Sequence, residues 1–71
     1  MTYEERLEAA ARVAAVMRAG EVDAMCHVPG GDREAFHRAA LRIATRCGVT
    51  VRIETAGETA SAVFFRDDRR P

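Results

Sequence analysis

Arg33 and His37 stand four residues apart in the run Asp32-Arg33-Glu34-Ala35-Phe36-His37, a spacing that puts both on one side of a helix. Asp32 is a good N-cap, so the pair falls near a helix N-terminus, where backbone N–H groups and the helix dipole favour anions. The chemistry this suggests is phosphate recognition. Arg33 offers a flat, permanently charged fork, and His37 either touches the ligand or bonds the backbone to hold the loop. Spacing alone favours the plainer reading, a solvated arginine and a half-buried histidine.

A second set lies further along. Strand alternation puts Arg52, Phe64 and Arg66 on one face, beside His27 and Met25. An aromatic ring flanked by arginines can stack a base while the cations follow the backbone, a contact worth about 1 to 3 kcal/mol per base. The plainer alternative is one exposed phenylalanine, and a one-residue slip in register exchanges Phe64 for Phe65. Arg38, Arg42 and Arg46 form a further basic stripe pointing away from the sheet, with Glu34 placed to pair with Arg38; it reads as a solvated helix face.

Other chemistries find less support. Cys26, His27, His37 and Cys47 are zinc-ligand types, yet no close pair has ligand spacing. Gly30-Gly31 lacks the glycine spacing and the lysine of a phosphate loop and reads as a turn. Ser61, the only serine, sits in a strand with no nucleophile elbow or paired carboxylates around it. The expectation is a chain that is not an enzyme and needs no cofactor or metal.

Arg33-Glu34-Ala35-Phe36-His37 resembles the signature of the single-strand nucleic-acid-binding domain family named for its Arg-x-x-x-His motif. The resemblance extends over nearly the whole chain: a helix and strand before the motif helix, then Cys47-Gly48-Val49, then Gly57-Glu58 in a hairpin, then Val63-Phe64-Phe65-Arg66. It implies a three-stranded sheet backed by two helices, binding of single-stranded DNA or RNA, and Arg33 and His37 as the positions that carry over. The family usually has a serine before the Gly-Glu pair and basic residues after it, where this chain has Thr55-Ala56 and Thr59-Ala60-Ser61-Ala62. Losing those cations removes phosphate contacts, so the expected binding is weak and salt-sensitive.

The elements that position these residues follow from local pattern. Thr2-Tyr3-Glu4-Glu5 is a capping box, and Tyr3, Leu7, Ala10, Val13, Ala14 and Met17 make an apolar stripe up to Gly20 as the stop. Glu21 to Val28 alternates with a period of two, Val22, Ala24, Cys26 and Val28 against Asp23, Met25 and His27. A second helix runs from Asp32 to Cys47, burying Phe36, Ala40, Ile43, Ala44 and Cys47, with Gly48 as its C-terminal glycine. Val49 to Glu54 is a strand, Ala56-Gly57-Glu58 the turn, and Ala60 to Arg66 the third strand, with Val63 and Phe65 facing the helices and Phe64 and Arg66 facing away. The predicted class is α+β, helix-strand-helix-strand-strand, with both helices on one face of a small sheet. Residues 1–66 form one domain and 67–71 a frayed tail.

Composition bounds the rest. A 71-residue chain has a thin core. All eleven cations are arginine, and lysine, asparagine, glutamine and tryptophan are absent, which reads as GC-rich coding. Net charge is zero but uneven: residues 2–23 hold three arginines against five acids, 27–52 five against two, and 53–71 three against four. Two cysteines 21 residues apart, with no secretory pattern, read as reduced thiols of a cytoplasmic protein. The alanine-rich run Ala9 to Ala19, broken by Arg12 and Arg18, is too short for a membrane span. Two functions from different classes are compatible with this sequence: a single-stranded nucleic-acid module using Arg33, His37, Arg52, Phe64 and Arg66, or a small interaction or inhibitor protein engaging a protein partner through a sheet edge or the uncovered face. Zero net charge favours the second.

Overall fold

The computed structural model describes residues 2–67. Thr2 starts the first helix, α1 (Tyr3–Val16), by the expected capping box: its Oγ1 accepts from the Glu5 N–H at 3.3 Å, and the Glu5 carboxylate accepts from the Thr2 N–H at 2.9 Å. The helix stops at Val16, four residues before Gly20, because Met17 is already extended (φ −82°, ψ 143°). Gly20, at φ 104°, instead makes the bend into the first strand. Leu7, Ala10, Ala11 and Ala14 form the buried stripe; Val13 is 49% exposed and stands outside it.

Strand β1 (Glu21–His27) alternates as expected, with Ala24 and Cys26 buried and Val22 half-buried. A 3-10 turn at Gly30–Asp32 leads into α2 (Arg33–Cys47); Asp32 occupies the cap position, but its side chain makes no capping bond. Gly48, at φ 74°, closes α2 in a Schellman arrangement, with the Val49 N–H reaching the Ala44 carbonyl at 2.9 Å. Strands β2 (Thr50–Ala56) and β3 (Thr59–Phe65) follow. All pairing is antiparallel in the order β1-β3-β2, so the last strand is the central one. Both helices pack on one sheet face, giving the α+β architecture.

The third strand has the opposite phase to the one expected. Gly57-Glu58 is a two-residue connection closed by the pair Ala56↔Thr59, with Gly57 at φ 63° as the first central residue, the II′ pattern. That register sets Val51 opposite Phe64 and Ile53 opposite Ala62. Phe64 therefore points at the helices and is fully buried, while Phe65 is half-buried on the other face. The run Val63-Phe64-Phe65 is apolar in both phases, so alternation could not choose between them; the turn length did.

The core is built mainly from alanines, with Leu7, Val28, Phe36 and Phe64 its largest fully buried side chains. Small residues let the helices lie close to the sheet. Tyr3 covers Phe36 with ring centroids 5.5 Å apart. The uneven charge is explained by the helix pair: Arg42 bonds Glu4 at 3.0 Å and Arg46 bonds Glu8 at 2.7 Å, so the basic stripe of α2 closes onto the acidic side of α1. Glu34 and Arg38 pair within α2 at 3.7 Å, as expected. Residues 68–71 of the expected tail lie outside the described residues.

Candidate functional site

The first turn of α2 sits over the β2–β3 hairpin, and this junction brings Arg33 and His37 together. Both are exposed. Arg33 Nη2 donates to the Gly57 carbonyl, which fixes the arginine across the hairpin turn. His37, one helical turn later, borders the same cleft of about 230 Å³. Phe36, Ile53, Thr55 and Ala60 form its apolar floor, and Arg33, Glu34 and His37 its rim. A space this size takes one flat or compact group, such as a base edge or a phosphate, rather than a drug-sized molecule.

Helix spacing marks Phe36 as core, but joining it with Ile53, Thr55 and Ala60 in one floor needs the pairing of β2 with β3. Ile53 and Thr55 alternate onto the helix side of β2, and the glycine of the hairpin marks where the arginine can reach backbone. Arg33 differs from the other α2 arginines, since Arg38, Arg42 and Arg46 each face a carboxylate. Among the described residues, no carboxylate pairs with Arg33. Its helix position favours an anion as well.

The remaining expected site residues do not join this pair. Phe64 is in the core, so it cannot stack a ligand. Arg66 shares the phase of Phe64 and sits beyond the far end of β3, where its Nη1 donates to the Met17 carbonyl at 3.4 Å. A seven-residue strand at about 3.3 Å per residue separates it from the hairpin by roughly 20 Å. Arg52 does lie on the open face, with His27, Met25 and the half-buried Phe65, whose ring its guanidinium overlies at 6.0 Å. Among the described residues that face, however, is acidic: Glu21, Asp23 and Glu54 surround Arg52, which contacts Glu21 and Glu54 at 3.5 Å each. It repels a phosphate backbone.

Neither cysteine is in a disulfide. Burial on the helix side of β1 raises the Cys26 thiol above its ordinary value, with Arg6 opposing and Asp23 adding to the shift. A protonated, covered thiol is a poor nucleophile. Among the described residues no group of three or more His, Cys, Asp or Glu side chains is placed to hold a metal ion, and no helix is long and apolar enough to cross a membrane.

No family model, curated protein or solved structure matches the chain.

Proposed function

We propose that this chain binds single-stranded nucleic acid, weakly, at the cleft between the start of α2 and the β2–β3 hairpin. The observation that carries the reading is the state of Arg33: the one α2 arginine with no carboxylate partner among the described residues, exposed, at a helix N-terminus, one turn from an exposed histidine. Arg33 takes a phosphate, His37 contacts the adjoining sugar or base, and the apolar floor accepts part of a base. The resemblance to the Arg-x-x-x-His family supports the same two positions. Glu34 on the rim and Asp32 before the helix hold the affinity down. The open sheet face takes no part, so binding uses a small footprint rather than a stacking platform.

The test is a titration of fluorescent single-stranded DNA and RNA with the native chain and with Arg33→Ala/His37→Ala. The double variant is expected to lose most of the binding. Arg42→Ala/Arg46→Ala, which removes cations already held by α1 carboxylates, is expected to lose little. Equal binding by all three proteins contradicts the assignment. The outer edge of β2, open among the described residues, favours a protein contact that borders the cleft through Ile53 and Thr55.

A further inference from the structure

The sheet has two outer strands, and they are not equivalent. The Val28 N–H donates to the Glu58 carbonyl at 2.6 Å, which fixes the hydrogen-bonding phase of the ladder. In an antiparallel sheet bonded and non-bonded pairs alternate. Residues 58, 60, 62 and 64 of the hairpin and β3 therefore bond toward β1, and 59, 61, 63 and 65 toward β2. On β1 the outward groups belong to Asp23, Met25 and His27, and the Met25 carbonyl is covered by Arg6 Nη1 at 3.4 Å. On β2 they belong to Val51, Ile53 and Thr55, which among the described residues have no partner for these backbone groups. An open edge of this kind is a template for another strand.

The sequence of β2 states which strand fits. Placing a two-fold axis at Ile53 pairs Ile53 with the partner's Ile53, Val51 with the partner's Thr55, and Thr55 with the partner's Val51. All three are positions whose backbone groups point outward, so every free N–H and C=O of the edge finds a match. The same register sets Arg52 against the partner's Glu54 and Glu54 against the partner's Arg52, two reciprocal ion pairs on the open face. On the helix side the half-buried Ile53 meets its own copy across the seam, and each half-buried Val51 faces the partner's Thr55. Such a pairing is isologous, as a two-fold contact must be.

We infer that β2 is a self-association edge: two copies join β2 to β2 in antiparallel register about Ile53, forming one six-stranded sheet with four helices on one face. Ile53 and Thr55 also floor the cleft, so the clefts of the two copies flank the seam. The inference is independent of the nucleic-acid reading, because its evidence is the edge and its readout is mass.

The experiment is light scattering coupled to size exclusion over a concentration series, with circular dichroism as the check on folding. The native chain is expected to dimerise. Arg52→Glu alone or Glu54→Arg alone turns both opposite-charge pairs into like-charge pairs and weakens the dimer by at least about tenfold. Mixing these two variants restores complementarity and yields a heterodimer, and Arg52→Glu/Glu54→Arg in one chain restores the homodimer. A native chain that stays monomeric at every concentration overturns the inference. So does a dimer indifferent to both single variants, or a mixture that fails to associate while both variants are folded.

Discussion

Replacing Phe64 by alanine tests the strand phase on which the whole site description depends. Phe64 is fully buried among helix and sheet residues, in a core whose other members are mostly alanines too small to fill the space it leaves. A buried Phe→Ala change costs about 3 to 5 kcal/mol. A chain of this length holds roughly 4 to 11 kcal/mol in total, at about 0.05 to 0.15 kcal/mol per residue. Phe64→Ala should therefore remove between about a quarter and all of the stability, seen by circular dichroism as a large drop in urea midpoint or as a chain unfolded without denaturant. Phe65→Ala, on the open face under the Arg52 guanidinium, loses a half-buried ring and should cost about 1 to 2 kcal/mol, below the fully buried case. The gentler Phe64→Leu keeps a measurable transition and should still fall below Phe65→Leu. If the Phe65 variants are the more damaging pair, the strand faces the other way and the acidic open face described above is wrong.

Two further outcomes follow from particular backbone and side-chain positions. Gly57→Ala forces a Cβ into the left-handed region at φ 63° and should cost about 1 to 2 kcal/mol in a denaturant melt, whereas Gly31→Ala, with negative φ and open space around it, should be neutral or slightly stabilising. Thiol labelling of the native protein should modify Cys47 well before Cys26, since Cys26 is buried and holds its proton to higher pH. Because the folded thiol titrates above the unfolded one, the unfolded state releases its proton first. Stability falls as pH rises between the two values, and Cys26→Ala should flatten that alkaline decline.

Much of this architecture could be read along the chain. Thr2 and Glu5 announce the first helix because a capping box is a local device. Val22, Ala24 and Cys26 reveal the inward face of β1 because Asp23, Met25 and His27 break the run. Val63-Phe64-Phe65 offered no such contrast, and reading Ala56-Gly57-Glu58 as a three-residue turn shifts the pairing by one. That single residue moves Phe64 from the core to the surface. The electrostatics needed the third dimension: Arg42 and Arg46 look like a solvated stripe until Glu4 and Glu8, 38 residues earlier, are brought beside them. Arg33 and His37 were legible as a pair because helix spacing is enough to join them. Their cleft was not, since its floor comes from a different strand.

The central claim, that Arg33 and His37 mark a single-stranded nucleic-acid site, is tested most directly by the salt dependence of binding. For single strands the logarithm of affinity falls with the logarithm of salt by about 0.7 per neutralised phosphate, so one or two contacts give roughly a threefold to sevenfold loss between about 50 and 200 mM. The native chain is expected to show that loss, and Arg33→Ala/His37→Ala to bind too weakly to show it. No binding at the lower salt by a folded native chain, or a salt slope unchanged in the double variant, would contradict the account.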